Sequence, residues 1–206
     1  MVLMDSFNEA EQNILLSVAA NSIQYGLLER VALPVHKDNF DDPKLKVDRA
    51  TFVTLEINNQ LRGCIGSLVA MHPLINDVAH NAFAAAFEDP RFPSLNEKEF
   101  NQLDIHISIL SESEPMSFSS EEDLLSQIQP GIDGLILSDN FQRGTFLPSV
   151  WESLPNANDF LRHLKTKAGL PETYWSDTLK VERYTTFSFG KHISKISMEL
   201  EQNQPI

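Results

Sequence analysis

Residues 61–66, Leu61-Arg62-Gly63-Cys64-Ile65-Gly66, set the chain's only cysteine near a guanidinium and between two glycines, inside a run that reads as a β-strand. Glycine weakens a strand interior, so it marks a bulge or a close approach of something to the backbone. A thiol beside a fixed cation is favoured as thiolate, which makes Cys64 a candidate nucleophile. The competing reading is a small buried hydrophobe, the commonest fate of a free cysteine. Arg62 carries a planar fork suited to carboxylate or phosphate, so Arg62, Gly63 and Gly66 are candidate substrate-binding residues and a small anionic ligand is the matching class. An ion pair across the hairpin between Arg62 and Glu56 is the structural alternative.

Other side chains join this list by position. Glu56 is expected on the same polar face as Thr54, Arg62 and Cys64. His106 shares a polar strand face with Ser108, and a Cys–His–acid set requires that strand to neighbour the hairpin. In Asp89-Pro90-Arg91-Phe92, Asp89 and Arg91 read first as the cap and staple of a helix end, with Arg91 retained as a binding candidate. Asp133, between Gly131 and Gly134, is a turn residue first and a site candidate second. His36, Asp38, Asp41 and Asp42 offer ligand atoms in one polar loop, but their spacing matches no metal motif. No phosphate-binding loop, dinucleotide fingerprint or HExxH motif occurs, and the residues specify no cofactor.

Charge restricts the partners. Sixteen Lys and Arg against twenty-nine Asp and Glu give a net charge of −13, with no basic run. General nucleic-acid binding needs clustered cations, so that class is disfavoured, as is an anionic membrane surface. No apolar run approaches the roughly 18 residues of a membrane span. The first residues, MVLMDSFNEAEQ, lack a basic region followed by a cleavable apolar one, and a single cysteine excludes an internal disulfide framework. A cytoplasmic protein is the simplest expectation.

The elements that must position these residues follow from periodicity. Ser6-Phe7-Asn8-Glu9 fits a capping box, and apolar residues from Ile14 to Leu27 at helical spacing predict a helix over 7–30. Residues 34–49 read as a long loop. Residues 51–68 read as a β-hairpin, TFVTLEI and LRGCIGSL joined by Asn58-Asn59-Gln60. A three-residue loop pairs Ile57 with Leu61, Leu55 with Gly63 and Val53 with Ile65, leaving one apolar face. The alanine-rich stretch after His72-Pro73 predicts a second helix, stopped by Pro90 and Pro93. Residues 103–110 alternate as a strand, with Ile105, Ile107 and Ile109 on one side. A short helix near 120–127, a strand from Gly134, a hairpin turn at 139–144, a helix opened by Asn156 and closed before Gly169, and a strand over 179–189 complete the chain. Residues 196–206 are expected to fray. Hairpins mixed with a few helices indicate an α+β fold, a mainly antiparallel sheet flanked by helices.

Taken in order, LRGCIGSL at 61–68, NAFAAAFEDPRFPSL at 81–95, ISIL at 107–110, GIDGLIL at 131–137, LPSV at 147–150 and FLRHLKTKAGLPETYW at 160–175 resemble the AMMECR domain family. The resemblance spans roughly residues 7–190, and the hexapeptide is highly specific to that family. It implies one domain over 1–206 with a larger and a smaller lobe and a cleft near the hexapeptide. It brings no defined reaction. It does imply partners: in prokaryotes such proteins are associated with Memo-like proteins, which look like extradiol dioxygenases, and with radical SAM proteins, as the A component of the AmmeMemoRadiSam system. One departure is that Ala20 is followed by Asn21, where relatives often carry arginine. Three classes are therefore in play: an enzyme or enzyme subunit acting on a small anionic substrate, a binding or adaptor protein for a peptide or protein, and a nucleic-acid-associated regulator, the last disfavoured by charge.

Overall fold

In a computed structural model, which describes residues 6–199, the helical period of the N-terminal segment becomes α1 (Glu9–Glu29). Its capping box is formed by Asn8 and Glu11 rather than by Ser6 and Glu9: the Glu11 N–H donates to Asn8 Oδ1 (3.0 Å) and the Asn8 N–H to Glu11 Oε2 (2.6 Å). The helix starts later than expected because Phe7 is buried as an anchor just ahead of it.

Among the described residues two compact units follow from the chain's contacts, one of residues 6–110 and 187–199, the other of residues 111–186. Each contains a four-stranded antiparallel sheet with helices, an α+β architecture. In the first unit the hairpin strands are β1 (Thr51–Ile57) and β2 (Gln60–Gly66). Asn58 and Asn59 both take positive φ, 53° and 60°, so the turn has two residues and not three. Leu55 still pairs with Gly63 and Val53 with Ile65, but Ile57 pairs with Gln60 and Glu56 with Leu61. The register shift between Leu55 and Glu56 is a β-bulge that leaves Arg62 as the extra residue, and Leu61 is exposed instead of buried. Asparagine tolerates the left-handed region, which makes the tight turn accessible, and the bulge restores the apolar register beyond it.

Helix α2 (Leu74–Phe87) crosses the buried side of β1 and β2. Gly63 permits this: a Cβ there would stand 2.1 Å from the Ala85 carbonyl oxygen, so helix and strand backbones touch. A Cβ on Gly66 would stand 2.3 Å from the Thr51 oxygen. A buried polar latch completes the contact. The Thr51 N–H and hydroxyl donate to Asp77 Oδ2 at 2.9 and 2.6 Å, and Asn81 Nδ2 donates to the same oxygen at 2.9 Å. Burial pushes the Asp77 carboxyl up, against the pull of these donors.

After α2 come the single turn α3 (Glu97–Phe100) and β3 (Asp104–Leu110). The run expected as one strand over 179–189 is two, β7 (Lys180–Tyr184) and β8 (Thr186–His192), which join different sheets. The first sheet runs β2-β1-β3-β8. The other unit adds β4 (Glu114–Pro115), α4 (Glu121–Gln127), β5 (Gly134–Asp139), β6 (Gln142–Phe146) and α5 (Ala157–Lys167), in sheet order β4-β7-β5-β6. Its core holds Trp151 stacked on Phe160, and Asp139 there accepts hydrogen bonds from the Tyr174, Ser176 and Thr178 hydroxyls.

Of the segment expected to fray, 196–206, the structure describes residues 196–199. Ile196 is buried, the Ser17 hydroxyl donates to the Ser197 carbonyl, and Asn21 Nδ2 donates to the Met198 carbonyl at 3.1 Å. Residues 200–206 lie outside the described residues. Asn21, at the position where the family resemblance leads one to expect arginine, thus ties α1 to the C-terminal segment. Among the described residues no helix is long and apolar enough to cross a membrane.

Strand β2 is an edge of the first sheet, and its open side is closed by side chains. The Cys64 N–H donates to Asp89 Oδ2 (2.9 Å), Arg91 Nη2 donates to the Cys64 carbonyl (3.2 Å), and Arg91 grips Asp89 through both carboxylate oxygens (2.9 and 2.6 Å). The pair occupies the place of a neighbouring strand.

Two measurements check this packing. Gly63→Ala should lower stability by on the order of 3 kcal/mol, because the clash is with backbone that cannot rotate away; at this chain length that is a fall of about 6–12 °C in Tm, whereas an unchanged Tm would mean the helix does not rest on the strand. Arg91 and the Cys64 amide hold the Asp89 carboxyl well below the usual carboxylate range. Its stabilisation is therefore present above the unfolded value of about 3.9 and lost as pH falls towards the depressed folded value. Asp89→Asn should cost about 2 kcal/mol at neutral pH and flatten the loss of stability below about pH 4 in urea unfolding.

Candidate functional site

The side of the first sheet turned away from α1 and α2 carries the chain's polar strand residues in register. Thr54 stands opposite Cys64 on one flank and His106 on the other, and Glu56 stands opposite Asp104. The Ile193 N–H donates to the Leu103 carbonyl (2.8 Å), and the Ser108 and Ser188 hydroxyls are hydrogen-bonded at 2.9 Å. Both contacts fit one antiparallel alignment of β3 and β8, which sets His106 opposite Gly190 and Asp104 opposite His192. The glycine is required there: a Cβ on it would stand 2.3 Å from His106 Nδ1. Two cross-strand rows result, Cys64–Thr54–His106–Gly190 and Leu61–Glu56–Asp104–His192.

The chemistry of the rows is specific. The Thr54 hydroxyl donates to Cys64 Sγ at 3.2 Å. Glu56 Oε2 lies 3.8 Å from His106 Nε2 across the diagonal between the rows. Cys64 and His106 are separated by two strand spacings, about 10 Å, so no direct thiol–imidazole contact forms. Cys64 is partly exposed and not a core residue. Two acidic residues, Glu56 and Asp104, stand at paired positions in the second row, which makes it receptive to cationic groups. Among the described residues, no three His, Cys, Asp or Glu side chains converge to hold a metal ion.

Arg62 departs from the expectation of a ligand-binding guanidinium. The bulge removes it from the row occupied by Thr54 and Cys64, and it is only 8% exposed. Its Nε and Nη2 donate to the Glu99 carboxylate at 2.8 and 3.1 Å, and Nη2 also donates to the Pro93 carbonyl at 2.8 Å. Arg62 holds the Glu99 carboxyl below its ordinary range. Its partner is thus Glu99, not Glu56, and the pair fastens the segment after α2 to the hairpin. The guanidinium nearest the thiol is instead that of Arg91, which is half exposed and engaged with Asp89. The expected cap and staple is therefore an edge clamp on the hexapeptide.

The remaining candidates separate cleanly. Gly63 and Gly66 meet protein backbone and so serve packing. Asp133 lies in the other unit, where its carboxylate accepts the Gln129 N–H (2.9 Å) and approaches Arg183 (3.8 Å), while its carbonyl accepts the Trp151 indole N–H (2.7 Å). It is a turn staple. Asp104, Gly190, His192 and Lys195 are not among the candidates singled out by residue type; the alternation Asp104-His106-Ser108 carries the signal for the first of them, and Ser188-Gly190-His192 repeats that period on β8.

The comparisons with known proteins agree with the fold. The AMMECR1 family model matches residues 16–189. A protein of Methanothermobacter thermautotrophicus is 38% identical over 142 residues, covering 66% of this chain and 72% of that protein. One of Thermotoga maritima is 34% identical over 172 residues, covering 82% of this chain and 91% of the relative. A crystal structure of an uncharacterized protein from Pyrococcus horikoshii has a TM-score of 0.79 and 30% identity, over 87% of this chain and 90% of that chain. The chain belongs to the AMMECR1 family.

Proposed function

We propose that the protein is an enzyme, or a subunit of one, that holds a small-molecule substrate on the outer face of its first sheet. Cys64 is the nucleophile, Thr54 its hydrogen-bonding partner, and His106 with Glu56 the acid–base pair acting on the bound substrate. The observation that carries this reading is the row Cys64–Thr54–His106, with Glu56 beside the imidazole. A sheet holds such residues at fixed spacing, as preorganised chemistry needs. The separation of about 10 Å between the outer members leaves room for a substrate between them, so His106 exchanges a proton with the substrate and not with the thiol. An anionic group of the substrate has no free Arg62 to meet and must find its cation elsewhere on the face. We further propose a cytoplasmic setting beside Memo-like and radical SAM proteins; the support for this is family resemblance.

A specific observation favours a second reading, an adaptor protein. Val69 and Met71, directly after the hexapeptide, are 51% and 70% exposed, as apolar residues at a docking surface are. Mass spectrometry of the intact protein separates the two. After incubation with the small-molecule fraction of a cell extract, the enzyme reading predicts an adduct on Cys64, absent in Cys64→Ser and formed about a hundredfold or more slowly in His106→Gln, the size of one lost acid–base contribution. Brief iodoacetamide treatment of the folded protein should also label Cys64. A folded protein that gives no adduct, and whose thiol reacts only after unfolding, would overturn the nucleophile.

A further inference from the structure

Beside His106 the outer face opens into a cavity of about 430 Å³, lined by Asp104, His106, Gly190, Lys191, His192 and Lys195. That volume falls within the range of small-molecule sites. Its walls differ in charge. On the β3 side stands Asp104, with Glu56 directly across from it on β1. The Asp104 carboxylate makes this wall a place for an ammonium group. On the β8 side, the Ser194 N–H donates to His192 Nδ1 at 3.2 Å. With the Ser194 hydroxyl 2.8 Å from the same nitrogen and able to donate to it, Nδ1 is the accepting nitrogen, and the neutral ring carries its proton on Nε2 as a donor. Lys195, one short turn further on, is exposed. Lys191 is committed elsewhere, its ammonium donating to Asn13 Oδ1 at 2.7 Å. The β8 wall is therefore a place for an anion.

His106 forms the inner boundary. Its ring occupies the notch that Gly190 leaves open, and any side chain at 190 would displace it. The row that begins at this ring continues past Thr54 to Cys64.

We infer that this cavity binds the head of a small zwitterion, with its ammonium at Asp104 and its carboxylate at Lys195 and the His192 Nε2–H. The chemical class that fits is a free α-amino acid or a derivative with both head groups unblocked. The rest of the ligand runs along the row towards the thiol. This rests on the outer face being the substrate site and names its substrate class. It also supplies the cation that Arg62 does not. A ligand with only one of the charges leaves the opposite wall unpaired, and this mismatch is the source of selectivity.

The test is an NMR titration of the folded protein with the common L-α-amino acids, observing the carbon-bound imidazole protons of His106 and His192. At least one amino acid should shift both resonances saturably, with Kd in the millimolar range or tighter. Its N-acetyl and carboxamide forms should bind at least about tenfold more weakly, as should the unblocked amino acid to Asp104→Asn and to Lys195→Gln. The proposal is overturned if no amino acid saturates both resonances, if the blocked forms bind equally, or if both variants bind as wild type does. Saturable binding in a protein that forms no Cys64 adduct would uphold the zwitterion site and overturn the nucleophile. Adduct formation without amino-acid binding would do the reverse.

Discussion

The contact on which the hexapeptide depends is that of the Asp89 carboxylate with the Cys64 backbone N–H. An edge strand has unpaired donors and acceptors along one side, and β2 is such an edge. A strand partner would satisfy them but would also cover the flank of the site. Asp89, 4% exposed, accepts the Cys64 N–H, while Arg91 neutralises it and returns a hydrogen bond to the Cys64 carbonyl. An isolated buried carboxylate is expensive, but one with a bidentate guanidinium and a backbone donor is compensated. The thiol is thus held in place by its own main chain, with Sγ left to Thr54.

A second constraint acts from the opposite side of the sheet. At Gly63 strand β2 lies against the α2 backbone at Ala85, and nearer the start of that helix Thr51 of β1, Asp77 and Asn81 join strand to helix through buried hydrogen bonds. Arg62, displaced by the bulge, reaches Glu99 and fastens the segment that also carries Asp89 and Arg91. Bulge and clamp restrain β2 and the latch restrains β1, and the chemistry-bearing side chains sit on the face that none of them occupies.

Much of this was legible in the sequence. The hairpin, α2, the alternation of β3 and the helix opened by Asn156 each announce themselves through periodicity or capping residues, and the α+β class follows from them. The site was legible in part. That Thr54, Glu56 and Cys64 share a face followed from alternation alone, since β-strand side chains repeat every two residues. Arg62 was misplaced because alternation fails at a bulge, and two consecutive asparagines in left-handed conformation are weakly signalled beside the apolar pattern that favoured a longer loop. Asp89 looked like a helix cap because its true partner is 25 residues away in sequence. His192 and Gly190 fell beyond the expected end of a strand that is really two, and which strands neighbour one another is a property of tertiary folding that local pattern does not encode.

Amide hydrogen exchange at Cys64 tests the central claim most directly, since an exposed edge amide exchanges readily and a bonded one exchanges only when the structure opens. The account predicts that the Cys64 amide is protected in the native protein to an extent comparable with Val53 and Leu55, and that Asp89→Asn accelerates its exchange by about a hundredfold or more while those two stay slow. A Cys64 amide that exchanges in the native protein as fast as an unpaired edge amide would contradict it.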